Sequence, residues 1–260
     1  SLGAAAGSAP AYPLLAQTQT LVDAMTVPPT VARAQLINTL IANLLSSGAW
    51  AKLDFFYGFA AATSQAALLN WKTPGTFDAT LANAPAFTVD RGYTGDGATS
   101  YVESNFNATT AGGNLIQDSM SFGVWNLTEG QSGSSVGGTQ DSSTNGISVN
   151  PRNTSDLASW RVNNTTADTV ANTTGLGLFV ACRSAAAATE IFKNGASLGT
   201  SVRASSGLRN TTLTFLKQGG TVFSARQLGM GCAGANLVSA QQSAVYTAAR
   251  TYMQGVGAAA

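Results

Sequence analysis

From Trp50 onward the apolar residues arrive in short bursts, each too brief for a three-turn helix and each bounded by Gly, Asn, Asp, Ser or other turn residues. Ten bursts stand out: APAFTVD, TSYVES, MSFGVWNLT, NGISVN, ASWRVNN, LGLFVACRS, TEIFK, ASLGTSV, TLTFLK and TVFSARQLGMG. Short runs rich in Val, Ile, Thr and aromatics read as strands, and many of them with little intervening helix read as a two-sheet antiparallel sandwich. Leu53-Asp-Phe-Phe-Tyr-Gly-Phe-Ala, just ahead of them, reads as a further strand buried on one or both faces. Between Glu190-Ile-Phe-Lys and Ala196-Ser-Leu-Gly stands Asn194-Gly195, a pair that readily takes the positive φ angles of a two-residue hairpin loop.

Helical spacing appears only at the two ends. Leu14, Leu15, Thr18, Leu21, Val22 and Met25 repeat at that spacing until Pro28-Pro29 stops the run. Thr30 can cap a second helix, whose stripe of Ile37, Leu40, Ile41, Leu44 and Leu45 ends at Gly48. At the other end, Ser239-Ala-Gln-Gln has the form of a capping box, followed by Val245, Tyr246, Ala249, Tyr252 and Met253 on one side until Gly255. The expected organisation is an Ala/Gly-rich arm over 1–12, a helical attachment segment over 13–49, the sandwich over 50–255 and a tail over 256–260. The arm has no charged region followed by an apolar core, so it does not read as a signal peptide.

Charge and residue type exclude more functions than they suggest. Charged residues make up 10% of the chain, against about 25% in an average domain. With a net charge of +1 there is no broad field to draw nucleic acid or an anionic membrane, and no apolar stretch approaches the roughly 20 residues of a membrane span. The absence of His removes Ser-His and Cys-His pairs and His-ligated metals. Cys182 and Cys232 lie in small or apolar runs and read as buried free thiols, with a disulfide as the alternative.

The twelve carboxylates are dispersed. Retaining glycosidases hold two carboxyls about 5–5.5 Å apart, which on one strand face means an i, i+2 spacing that the chain never shows. Distant pairs can still meet in space, so a glycoside hydrolase or lyase stays in view.

GYTGDGATSYVES, residues 92–104, is the one loop with an apparent chemical motif. A P-loop needs a Lys that is absent here, and a dinucleotide fingerprint needs a helix after the glycines, where Tyr101 and Val102 continue as strand. Asp96 can supply oxygen to calcium, but one carboxylate is thin for six to eight ligands. The plainer reading is a turn that aims Tyr101 inward and Glu103 to an edge. Asn107, Asn126, Asn153, Asn163, Asn164, Asn172 and Asn210 head Asn-x-Ser/Thr sequons, which a chain rich in Asn and Thr produces by chance. Alternation puts Trp160 with Val162 in the core, and Trp50, Trp71 and Trp125 read as packing residues. Arg152, Arg161, Arg183, Arg203 and Arg209 read as solvated surface cations. No catalytic, binding or metal residue, and no cofactor, is singled out on this basis.

FTVDRGYTGDGATSYVES, LFVACRSAAAATEIFKNGASLG and FSARQLGMGCAGANLVSAQQSAVYTAARTYM together resemble the concanavalin A-like lectin/glucanase (laminin G-type jelly-roll) superfamily, in the versions carried by tailed-phage virion proteins. The likeness covers about 50–255, and the helical pair LLAQTQTLVDAM and ARAQLINTLIANLL resembles what precedes the module in such proteins. The resemblance implies a mainly β fold: a two-sheet antiparallel jelly-roll sandwich with an N-terminal helical hairpin and a short C-terminal helix. It also implies a non-enzymatic virion structural protein, a head decoration or tail module at the particle surface. There the arm and helices would hold other virion proteins, the chain would form a homo-oligomer, and the sandwich would be available to a host cell-surface glycan. The Glu-x-Asp-x-Glu strand of the related glucanases has no counterpart here, and neither the calcium pair nor the sugar loops of legume-type lectins can be matched. A secreted or surface carbohydrate-binding lectin is the second reading.

Overall fold

The computed structural model describes residues 13–139 and 145–259; the arm expected over 1–12, together with Asp141 and Ala260, lies outside the described residues. Helices α1 (Ala16–Ala24), α2 (Val31–Ser46) and the single turn α3 (Ala49–Lys52) come first, then strand β1 (Leu53–Tyr57) and helix α4 (Ser64–Leu68). Next are β2 (Thr80–Ala82), β3 (Ala86–Thr88), β4 (Gly92–Thr94), β5 (Tyr101–Glu103) and β6 (Met120–Asn126). They are followed by β7 (Gly137–Gly138), β8 (Gly146–Asn150), β9 (Leu157–Asn164), β10 (Asp168–Ala171) and β11 (Gly177–Ala185). The chain closes with β12 (Ala188–Lys193), β13 (Ala196–Ser201), β14 (Thr214–Phe215), β15 (Lys217–Gln218), β16 (Val222–Phe223), β17 (Gln227–Gly234) and α5 (Ser239–Gly255).

Each of the ten bursts contains a strand. The strands without a burst, β2, β4, β7 and β10, are two to four residues long. One sheet has the order β13-β12-β11-β6-β17-β4-β3, with β1 also on β17; the other has the order β10-β9-β8-β7-β14-β5-β2. All their pairings are antiparallel. The expected two-sheet jelly-roll-like sandwich is therefore what the chain forms. Asn194 (φ 51°) and Gly195 (φ 79°) make the two-residue turn between β12 and β13.

Strand pattern tells the two sheets apart. Every residue of β6 is buried, and β11 and β17 are nearly as continuous, because that sheet is covered on both faces. Its inner face carries Phe122, Phe179, Phe55 and Tyr57, and the ring of Phe215 from the facing sheet meets Phe55, Tyr57, Phe59 and Phe122 at 5.2–6.1 Å. Its outer face carries Trp125, Cys182, Cys232 and Phe56 under a helical layer. In the second sheet, β9 alternates along Ala158, Trp160 and Val162, which are all inside as expected for Trp160, with Ser159 and Arg161 on the opposite face.

Helix α5 lies on the outer face of the first sheet and buries Gln242, Val245, Ala248, Ala249, Tyr252 and Met253. It starts one residue earlier than the expected box. Val238 is the N-cap, and Gln241 Oε1 accepts its N–H at 3.2 Å, so only half of a capping box exists because valine has no side-chain acceptor. Gln242, the expected partner of the box, is instead buried against Cys182 Sγ and Leu237 O.

Helix α2 is capped by Thr30, as its sequence suggests. Its stripe of Ile37, Leu40, Ile41 and Leu44 is 0–1% exposed, and Leu36 packs on Gly255 of α5. The apolar face expected to meet partner subunits is therefore covered by the chain's own residues.

Cys182 and Cys232 are free and buried beneath this layer. Burial pushes both thiols up to about 12. Because the thiolate is the reactive species, a disulfide-forming thiol reagent at pH 8 is expected to label neither in the native state and both in denaturant. Labelling of Cys232 without denaturant would show that α5 lifts off the sheet, whereas Cys182 also borders the cavity at the start of α5.

One sequence reading is corrected inside the sandwich. Arg183 is not on the surface: it is 0% exposed, with Nε 2.7 Å from Val162 O and Nη1 2.7 Å from Ala186 O, 3.1 Å from Arg203 O and 3.2 Å from Ala185 O. The sequon asparagines divide, with Asn210 exposed and Asn107 and Asn153 partly buried. Asn126, Asn163, Asn164 and Asn172 are buried, and three of them repeat one device at a strand end, with Nδ2 donating at 2.8 Å to the carbonyl two residues on: Thr128, Thr166 and Thr174.

Candidate functional site

The Gly95-Asp96-Gly97 turn is structural. Asp96 Oδ1 accepts the backbone N–H groups of Ala98, Thr99 and Ser100 at 2.8–2.9 Å, and Oδ2 accepts the Thr99 hydroxyl. The N–H groups of Ser100, Thr99 and Ala98 hold this carboxyl well below the usual carboxylate range. Its oxygens already cap the turn into β5, and among the described residues no group of three or more acidic or Cys side chains gathers to hold a metal. The strand that follows also departs from expectation: Val102 points into the core at 0% exposure, so the pleat places Tyr101 and Glu103 together on the opposite face.

That opposite face is the outer side of the second sheet, which no helix covers. Registers across it align Arg161 on β9 with Ser148 on β8, then Gly138 on β7, Thr214 on β14, Glu103 on β5 and Thr80 on β2. The result is an unbroken row of polar side chains and one glycine. Ser148 (4%) and Thr214 (7%) are nearly enclosed although they face outward. Gly138 has to be glycine, since its φ is +143° and a Cβ there would stand 1.9 Å from Ile147 O.

At the Glu103 end the row opens into a cavity of about 250 Å³. Its walls are Glu103, Thr139, Thr211, Thr212, Thr214 and Lys217. Glu103 Oε1 accepts the Thr212 hydroxyl. Thr214 Oγ1 lies 2.7 Å from Lys217 O and 3.0 Å from Gly138 O, which ties the β15–β16 hairpin to the sheet. The Lys217 ammonium stands 4.1 Å over the Tyr101 ring and 5.6 Å from that of Phe223, a contact worth about 0.5–1 kcal/mol where exposed. This cavity offers one carboxylate, one ammonium and several hydroxyls on a rigid sheet, a set that can exchange hydrogen bonds with a hydroxyl-rich ligand.

Larger space exists elsewhere, on the helix-bearing side. A cavity of about 380 Å³ at the start of α5 has Glu190, Thr200 and Asn236 around the protonated thiol of Cys182. An apolar one of about 260 Å³ lies between α2, α4 and α5 beside Trp71 and Tyr252. The five arginines read as surface cations separate in the structure. Arg152 pairs with Glu129 and Asp156, Arg203 pairs with Asp168, and Arg183 is inside. Sequence reasoning missed the cavity because Thr211, Thr212 and Lys217 come from a loop and hairpin about a hundred residues away from Glu103 in the chain.

No protein-family model and no curated protein sequence matches the chain. Its fold is similar to solved structures of low identity. Botulinum neurotoxin type C superposes with a TM-score of 0.55 at 11% identity, over 78% of this chain and 53% of the toxin chain. Trypanosoma rangeli sialidase gives 0.50 at 12%, over 82% of this chain and 38% of that one. Domain 4 of a GH43 extracellular arabinanase from Geobacillus stearothermophilus, in complex with arabinotriose, gives 0.45 at 14%, over 75% and 98%. The chain thus spans about half of the toxin chain and less of the sialidase.

Proposed function

We propose that this chain is a carbohydrate-binding sandwich that recognises its ligand without cleaving it, on the helix-free outer sheet face that ends at the Glu103 cavity. The observation that carries the reading is the continuous polar row from Arg161 to Glu103 on a sheet whose facing partner is covered over its central strands β6, β11 and β17. Small hydroxyl and amide groups held by a rigid sheet lose little entropy on binding and match the hydroxyls of a sugar. Botulinum neurotoxin type C, whose fold is shared, enters cells in a manner dependent upon interaction with two ganglioside molecules, and this supports the reading. Glu103 is the one carboxylate among the described residues lining the cavity, whereas glycoside hydrolysis ordinarily uses two. The proposal includes the setting implied by the phage-module resemblance, a particle surface on which this face meets a host glycan; antibody labelling of intact particles tests that setting.

The binding site itself is tested on a glycan array followed by calorimetry. Glu103→Gln and Lys217→Ala are expected to weaken the best glycan about tenfold each, or about 1.4 kcal/mol, while moving the thermal midpoint by no more than about 4 °C. Silence across the array, or binding that both variants leave intact, would remove the reading. Release of reducing ends from a bound polysaccharide would replace it with a hydrolase.

A further inference from the structure

We infer that the ligand of this face is an acidic glycan, carrying a single carboxylate that docks on Arg161 at the far end of the row from Glu103; the inference rests on the carbohydrate reading above.

Arg161 differs from the other enclosed arginines of the chain. Arg33 Nη1, Arg183 Nη2 and Arg226 Nε also lack an acceptor, but Arg33 pairs with Asp90, Arg183 and Arg226 donate through their other nitrogens to backbone carbonyls, and Arg152 is held by two carboxylates. Arg161 Nε and Nη1 are enclosed and meet no acceptor among the described residues. Enclosing a guanidinium without an acceptor is costly, and native structures normally supply one. The charge that acts on it is another cation, Arg203, whose Nε is already held 2.8 Å from Asp168 Oδ1. Burial first, and then Arg203, pull the Arg161 guanidinium down from its ordinary value. The missing partner is thus an anion.

The rest of the row decides which anion. Ser148, Gly138 and Thr214 separate Arg161 from Glu103 by four strand spacings, about 19 Å. A phosphate or sulfate alone would use one end only. A nucleic acid or a polymer charged at every unit would bring negative charge onto Glu103, on a chain whose net charge is only +1. A short oligosaccharide with one acidic residue meets both ends. Its carboxylate takes the planar fork of Arg161, and its uncharged hydroxyls take the threonines and carboxylate of the Glu103 cavity.

The test compares pairs of glycans that share one backbone and differ by a single terminal uronic or sialic acid, and adds the methyl ester of each acidic member, measured by calorimetry on the intact chain. The acidic member is expected to bind about tenfold more tightly than its neutral partner and its ester, with a preference that shrinks as salt is raised. Arg161→Gln is expected to abolish the preference by bringing the acidic member, its neutral partner and its ester to one affinity, while Arg161→Lys keeps part of the preference. The thermal midpoint of Arg161→Gln is expected to stay level or rise, since the substitution removes an uncompensated charge. Equal binding of acidic and neutral members, or a preference that survives in Arg161→Gln, overturns this inference and leaves the carbohydrate reading standing. Absence of binding to any member overturns both.

Discussion

A chain shortened to begin at Gly48 is expected to aggregate, or to stay in solution only as a state with native strand content and no fixed packing. Leu21, Ile37, Leu40, Ile41 and Leu44 are 0–1% exposed. Full burial of such a side chain is worth about 1.5–3 kcal/mol, so the five together represent on the order of 10 kcal/mol, an upper figure. That is the size of a whole domain's stability, about 5–15 kcal/mol. The loss is compounded on the other side of the interface, where α5 would lose α2 and expose its own flank over Cys182 and Cys232. Near-ultraviolet circular dichroism and dye binding read the packing, and labelling of Cys232 without denaturant reads the position of α5. A shortened chain with the native thermal midpoint and silent thiols would show that α1 and α2 are an appendage after all.

This expectation reverses what the helical pair suggests in isolation. The stripe from Ile37 to Leu44 was legible, as were its Thr30 cap and its end near Gly48, because they depend on residues a few positions apart. Which surface the stripe covers was not, because α5 lies about two hundred residues away in the chain. The same divide runs through the strands. Asn194-Gly195 specifies its hairpin locally, and each burst yields a strand. A further signal was present unread: MSFGVW, apart from Ser121, and LFVAC have no polar alternation, whereas NGISVN and ASWRVNN alternate, which separates a sheet covered on both faces from one with a polar outer face. Alternation also places Glu103 beside Tyr101 rather than opposite it. The remainder of the site had no such signal. Nothing in the spacing of Thr212 or Lys217 announces that a loop will bring them to β5, and no residue near Arg161 in sequence shows that its guanidinium will lack an acceptor.

Arg183→Met is expected to cost about 3–5 kcal/mol and to lower the thermal midpoint by about 10 °C, at roughly 2–4 °C per kcal/mol for a chain of this size. Two effects oppose each other here. Removing a buried guanidinium relieves its desolvation, and exchanging a complete buried ion pair for apolar groups is often neutral. Arg183, however, makes no ion pair among the described residues; its partners are the carbonyls of Val162, Ala185, Ala186 and Arg203, at 2.7–3.2 Å. These are main-chain acceptors that no substitution at 183 removes. Methionine fills much of the volume, yet it leaves them facing a thioether, at about 1–3 kcal/mol for each that finds no water. The penalty therefore exceeds the relief. The carbonyls belong to β9, to the end of β11 and the turn after it, and to the segment after β13, so the arginine also joins the two sheets at one end of the sandwich. Arg183→Lys, with one ammonium in place of the planar fork, is expected to fall between wild type and methionine. Arg152→Ala, which breaks partly exposed ion pairs, is expected to cost far less than the methionine variant. Denaturant unfolding with a common m-value measures all three. A methionine variant within about 1 kcal/mol of wild type would show that water reaches these carbonyls and that Arg183 does not join the sheets.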